Sequence, residues 1–429
     1  MTFKPIQKLD VMRTLSSGER INVGVMAQNS KEVFFQYDAQ YIEQYGNLSP
    51  FSLKKTTELQ IAPRTPHQGI HGVFGDCLPD GWGMLLQDRI FRQHGMLPTQ
   101  ITAMDRLAFV GHHAIGALSF EPISDFAIEQ TGDIDLATMG LQAQALFDGQ
   151  TDEVLSALVA AGSSGGARPK AQIYLSQGDI THCRTRANQG DQAWLIKFTS
   201  QNLPLGHEEG LCEAAYLSMA EKAGLEPPNW QLFSVPTSNG IRHWLAVKRF
   251  DWVNNAISAG RYHMHSACGL LDADFRAPTL DYEDLIKASR QLCKSPAAGQ
   301  LQFSRSMFNL FAGNQDDHSK NWSFLQDDDG NWEPAPFYDA TFSPHPFGEH
   351  ATAFAGFGKS PPLRTIQKLA THAGFSSWKQ AQLAIGEVVE SLSEFKHVAA
   401  QLGIKAETIK LIGNQLDIFW QQNKQLLKP

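Results

Sequence analysis

The alternation of apolar and polar positions divides the chain into a mixed front and a helical back. Over 20–37 (RINVGVMAQNSKEVFFQY) two apolar runs flank a polar break at Asn29, a pattern that predicts a β-hairpin. The segment 72–95 opens on turn residues and continues with Met84, Leu85, Ile90 and Phe91 at helical spacing, predicting a loop that feeds a helix. The runs AQIYL (171–175), AWLIKF (193–198) and HWLAVKRF (243–250) read as strands, and 207–224 reads as a helix stopped by Gly224. The acidic, small-residue stretch 124–149 reads as a connector between subdomains. After Asp281 strand-like runs thin out and a 3.6-residue period takes over, as in Ala381, Ile385, Val388, Leu392, Phe395 and again in Ile409, Ile412, Leu416, Phe419.

Composition narrows the picture. At 429 residues the chain exceeds one ordinary core, and 42% apolar residues exclude global disorder. Lys plus Arg number 36 against 44 Asp plus Glu, a net charge of −8, so no chain-wide basic field grips a phosphate backbone and any DNA contact runs through a local patch or a partner. No apolar run approaches the roughly eighteen residues of a spanning helix, and the start lacks a cleavable leader pattern, so a cytoplasmic protein without membrane contact is expected. The five scattered cysteines, Cys77, Cys183, Cys212, Cys268 and Cys293, form no C-x-x-C pair and read as reduced thiols.

The chemistry concentrates in GNQDDHSKNWSFL (313–325), followed by PAPFYDATFS (334–343). Asp316, Asn321 five residues on and Asp339 eighteen beyond that supply a base, a carboxamide oxygen and a second carboxylate in an order that suits phosphoryl transfer, with hard oxygens that select magnesium over zinc. A lone D-x-x-x-x-N also arises from ordinary turn formation, and a zinc reading would recruit His318 with His345 or His350. Upstream, Lys197 sits inside an apolar strand, Glu213 lies sixteen residues on in a helix, and AGSSGGARPK (161–170) offers small residues whose amides can approach an anion, plus Arg168 and Lys170. Each has a bland reading alone; their joint order favours a nucleotide site.

These residues resemble the HipA family of serine/threonine-protein kinases, toxins of HipBA-type toxin–antitoxin modules. The resemblance spans nearly the whole chain through the early hairpin, LPDGWG (78–83), GGARPK (165–170), LIKF (195–198), VKRFDW (247–252), GNQDDHSKNWSF (313–324) and APFYD (335–339), in order. It implies an α/β (α+β), two-lobed protein-kinase-like fold: an accessory subdomain over 1–125, a mixed N-lobe with the phosphate loop over 126–250, and an all-helical C-lobe over 251–429. It also implies ATP and Mg2+ as cofactors, Asp316 as the catalytic aspartate, Asn321 and Asp339 as metal ligands, and Lys197, ion-paired with Glu213, on the nucleotide phosphates. Gly165, Gly166, Ala167, Arg168, Pro169 and Lys170 would form the phosphate loop. Lys248, Arg249 and Phe250 would form the hinge beside adenine through backbone groups, and His318, Lys320, Asn321, Tyr338 and Asp339 would complete the pocket. Members autophosphorylate a serine matching Ser163, with Ser164 beside it. The implied partners are a HipB-like helix-turn-helix antitoxin, through which DNA is reached, and a protein substrate of the aminoacyl-tRNA synthetase class. A binding-only corepressor scaffold and a small-molecule kinase are the alternatives. Lys248 where members carry Glu, and Asp317 where they carry a small residue, are departures; the second places two adjacent carboxylates at the catalytic position.

Overall fold

A period of two builds the first sheet. In the computed structural model, which describes residues 4–127, 132–162, 165–176, 180, 183–254 and 259–428, strand Lys8–Thr14 turns Leu9, Val11 and Arg13 inward. The expected hairpin is present as Arg20–Gln28 and Val33–Tyr37. Five antiparallel strands stand in the order Gln60–Ile61, Val33–Tyr37, Arg20–Gln28, Lys8–Thr14, Leu118–Glu121. Val73 and Phe74 from the turn Gly72–Gly75, with Met104 and Leu107 from helix Ala103–Val110, fill their core.

A second antiparallel sheet occupies the middle of the chain, ordered Cys183–Arg184, Lys170–Leu175, Gln192–Lys197, Gly240–Lys248, Trp230–Thr237. In strand Gln192–Lys197 alternation sends Trp194 and Ile196 into the core and leaves Leu195 and Lys197 lining a cleft. The stretch 124–149 is not merely a connector, because helix Leu136–Phe147 packs on this sheet. Met139 is fully buried, and Gly140 admits Trp244 so closely that a Cβ would fall 2.1 Å from its ring. The small residues serve close packing there.

Helices Tyr282–Cys293, Pro296–Ala312, Leu363–Ala373, Trp378–Ser393 and Ala406–Asn423 build the back around Ile286, Phe303, Phe308, Ile366, Ile385 and Ile412. The expected all-helical stretch 251–429 also carries strands: Trp252–Asn254 pairs with Ala259–Arg261, and Ser323–Gln326 pairs with His263–Ser266 and Trp332–Pro334. Strands of three or four residues are too short to register as alternation in the sequence. Helix Glu209–Lys222 lies against both strand Gly240–Lys248 and the back, and most of its residues are buried.

Buried polar groups tie front to back. Arg13, with no exposed surface, donates to Tyr41 Oη at 3.0 Å, Gln326 Oε1 at 3.1 Å and the Asp327 carbonyl at 2.8 Å. Asp76 pairs with His265 Nδ1 at 2.6 Å and accepts the Ser266 amide at 2.7 Å, while His265 Nε2 lies 2.8 Å from Ser49 Oγ. That chain has the connectivity of a hydrolytic triad, but Ser49 and His265 are 0% exposed, so no acyl group can reach the hydroxyl. It is a structural tie.

Candidate functional site

Antiparallel register sets Lys170 directly opposite Lys197. Like charges across one rung repel, and in a poorly hydrated setting such a pair needs anions. Lys197 Nζ donates to Glu213 Oε1 at 2.6 Å and to Asp339 Oδ1 at 2.5 Å; Lys170 Nζ donates to the Gly165 carbonyl at 2.6 Å. Burial pulls the Lys197 amine down, but Asp339 and Glu213 outweigh it and raise it. Burial raises Glu213 against the pull of Lys197. Asp339 keeps the charge: desolvation opposes ionisation, yet Lys197, Lys170 and Arg168 hold its carboxyl well below the usual range. Its backbone sits at φ +58°, the left-handed region that Asp tolerates at some cost in strain. Lys170 goes the other way, pushed by burial down to about 8.

Helix Pro296–Ala312 stops at Gly313, φ +68°, and releases the loop that carries the catalytic candidates. Ser343 pins it, its carbonyl accepting the Gln315 amide at 3.2 Å and its Oγ the Asp316 amide at 3.3 Å. The Asp316 side chain is 66% exposed on the cleft, 3.9 Å from His318 Nε2. Desolvation raises its carboxyl, His318 pulls it back, and the charge of Asp339 adds to the rise. Asp317 is 1% exposed and accepts from Tyr282 Oη, from the Thr352 amide at 3.2 Å and, at 2.9 Å, pairs with His350 Nδ1. Environment therefore separates the two adjacent carboxylates. It also separates the histidines a zinc site would need, His318 facing the cleft and His350 lying against Asp317.

Among the phosphate-loop candidates, Gly166 takes φ +100° and donates its amide to Asp80 Oδ1, while Ala167 lies against Gly81. Arg168 pairs with Glu209 at 3.0 Å, and the Pro169 carbonyl accepts the Phe198 amide at 2.9 Å. Ser163 and Ser164 lie outside the described residues. Asp80 also accepts Lys320 Nζ at 2.6 Å. Sequence reasoning gave Asp80 no role, since an Asp before Gly at a helix start reads as an ordinary cap.

At the opposite end Phe250 stacks on Tyr338 with ring centroids 5.6 Å apart, and Tyr338 Oη donates to the Lys320 carbonyl at 2.6 Å. The Lys248 and Arg249 amides donate to the Asn229 and Ala193 carbonyls at 2.8 and 2.9 Å. The Arg249 guanidinium bonds Asp251 at 3.0 Å and Gln172 at 2.5 Å. Arg249 thus anchors the strand end, and a hinge contact through either amide is already committed to the protein.

These residues line two adjoining cavities of about 160 and 300 Å³ that share Gly166, Lys170, Lys197, His318 and Asp339. Leu195, Val247 and Phe250 make one end apolar; Arg168 and Asp316 make the other charged. The arrangement can hold a flat ring at one end and an anionic tail at the other. Asn321 donates Nδ2 to the Asp316 carbonyl at 2.8 Å, which turns its carboxamide oxygen away from that bond. With Asp339 it offers the hard oxygens magnesium takes when substrate phosphates complete its shell.

Residues 162–395 match the HipA-like C-terminal domain and residues 18–121 the HipA N-terminal domain. The chain is 32% identical over 136 residues to "Putative kinase Y4mE" of Sinorhizobium fredii (strain NBRC 101917 / NGR234), 30% of this chain and 31% of that protein. It is 25% identical over 218 residues to "Putative kinase Y4dM" of the same organism, 48% of this chain and 51% of that one. The matches thus span between about a third and a half of the length of these curated relatives. The HipA of Shewanella oneidensis MR-1, solved with HipB and operator DNA, superposes with a TM-score of 0.68 at 16% identity over 96% of both chains. The fold is the two-lobed, protein-kinase-like α/β architecture that the sequence implied.

Proposed function

The chain belongs to the HipA family, whose C-terminal domain alone accounts for more than half of it, and on that premise we propose that it is a serine/threonine-protein kinase that moves the γ-phosphate of ATP to a protein. The observation that carries this reading is the convergence on one cleft of Lys197, Asp339, Asp316 and Asn321, with Glu213 behind Lys197. Lys197, steadied by Glu213, binds nucleotide phosphate; Lys170 and Arg168 offset its charge; the Phe250–Tyr338 end receives adenine. Asp316 stands open to the cleft and orients the acceptor hydroxyl, taking its proton as the phosphoryl group leaves ATP. Asn321 and Asp339 would hold magnesium, which would supply positive charge to offset that of the phosphates.

In this reading residues 1–125 form the accessory subdomain, 126–250 the N-lobe and 251–429 the C-lobe. A HipB-like antitoxin is the partner that reaches DNA, and an aminoacyl-tRNA synthetase is the class of substrate. Among the described residues no helix is long and apolar enough to cross a membrane; a cytoplasmic location is part of the proposal. Autophosphorylation at Ser163 or Ser164 brings roughly −1.5 to −2 charges into the phosphate loop and shuts the enzyme down.

The test is phosphoproteomics on cells expressing wild type or Asp316→Ala, with magnesium-dependent ATP consumption by both purified proteins. Wild type should phosphorylate protein serines or threonines, and the variant should lose about a hundredfold or more of the transfer. Equal transfer by the variant sinks the reading, as does phosphate appearing only on metabolites.

A further inference from the structure

The Asp80 side chain caps no amide of its own helix. The residue occupies the N-cap position of Gly81–Gln93 with φ −130° and ψ 176°, yet its side chain makes no capping bond, against the usual habit of Asp at that place. Both oxygens instead cross to the cleft, Oδ1 accepting the Gly166 amide and Oδ2 accepting Lys320 Nζ at 2.6 Å. One donor is a phosphate-loop amide; the other is an ammonium on the loop that carries Asp316 and Asn321. A nucleoside triphosphate seeks donors of this kind.

The surrounding backbone fixes the carboxylate there. The Trp82 amide donates to the Gly166 carbonyl at 3.0 Å, and Trp82 Nε1 donates to the Lys170 carbonyl at 2.9 Å. Gly81, at φ +37°, lies so near the loop that a Cβ would stand 2.6 Å from Ala167 Cα. Lys170 holds the carbonyl of the same peptide unit whose amide Asp80 holds, so that unit is gripped from both ends. Asp80 is only 5% exposed, so little water screens its charge.

We propose that Asp80 is an internal anion standing in for part of the nucleotide's polyphosphate, delivered from outside the two lobes, and that it sets the affinity for nucleoside triphosphates by holding donors the ligand must take over. This rests on the kinase reading above. Asn is the informative replacement, because its carboxamide oxygen still accepts the Gly166 amide while the negative charge and the bond from Lys320 are lost.

The experiment is calorimetric titration of wild type and Asp80→Asn with Mg-ATP and, separately, with adenosine. Asp80→Asn should bind Mg-ATP about tenfold tighter, equivalent to roughly 1.4 kcal/mol, and adenosine no differently. A structural disturbance would weaken both ligands, so a selective gain is its opposite. Asp80→Ser, which is neutral and can still accept a hydrogen bond, must show the same selective gain. Mg-ATP binding that is unchanged or weaker in both variants, or adenosine binding that tightens in parallel, overturns the proposal. Failure of wild type to bind either ligand removes the kinase reading itself, and this inference with it.

Discussion

One peptide bond separates the cleft-facing carboxylate of Asp316 from that of Asp317, and the two should respond differently to removal. Asp317→Ala leaves the Tyr282 hydroxyl and the Thr352 amide without their buried acceptor and His350 without its partner. The expected cost is about 3 kcal/mol or more of stability, read as a fall in the urea midpoint. Asp316→Ala, at an exposed side chain, should change stability by less than about 0.5 kcal/mol, with a nearly unmoved midpoint, while cutting transfer about a hundredfold or more. Equal midpoints would refute the assignment. Lys170 gives a second prediction at this scale. Its folded amine, near 8 against an ordinary 10.5, costs stability at low pH, and the penalty vanishes as pH rises from 8 toward 10.5. Bound phosphate restores the charge, so ATP binding takes up a proton above pH 8, and affinity should fall by up to about tenfold per pH unit there. Lys170→Arg should flatten that profile between pH 7 and 9.

Elements meet where side chains are absent. Helical turn Gly72–Gly75 crosses Ala267–Leu270 at Gly72 and Gly269, and a Cβ on Gly72 would lie 2.1 Å from the Gly269 carbonyl oxygen. Gly72→Ala should therefore cost about 1–3 kcal/mol, with an unchanged denaturant m-value if the fold survives; a neutral result would mean the crossing is looser than described. Such crossings were illegible in the sequence, where Gly72 reads as a turn residue. The strand Gln192–Lys197 and the helices rich in Ile385 and Val388 were legible because their own periodicity encodes which face is buried. The helix Leu136–Phe147 was harder, since Gly140 and the alanines around it serve packing while resembling a linker.

At the scale of the whole molecule, the order of motifs along the chain anticipated the cleft, but distance in sequence hid what braces it. Lys197 and Asp339 stand 142 residues apart, and Asp80 and Lys320 stand 240 apart. The first pair was recoverable because a known arrangement of motifs names both members; Asp80 and Lys320 each lie in a quoted motif, LPDGWG and GNQDDHSKNWSF, but nothing in either marks them as partners. The ties between front and back share that property. Arg13 finds Gln326 across 313 positions, and Asp76 finds His265 across 189. Ribosomes make the amino end first, at about 5–20 residues per second, so Arg13, with the Tyr41 hydroxyl already at hand, waits roughly 15–60 s for Gln326 and Asp327 to be translated. Until then the guanidinium has the Tyr41 hydroxyl alone, and its remaining donors must be met by water. The last bonds that lock the first sheet to the back thereby form only after Gln326 and Asp327 emerge.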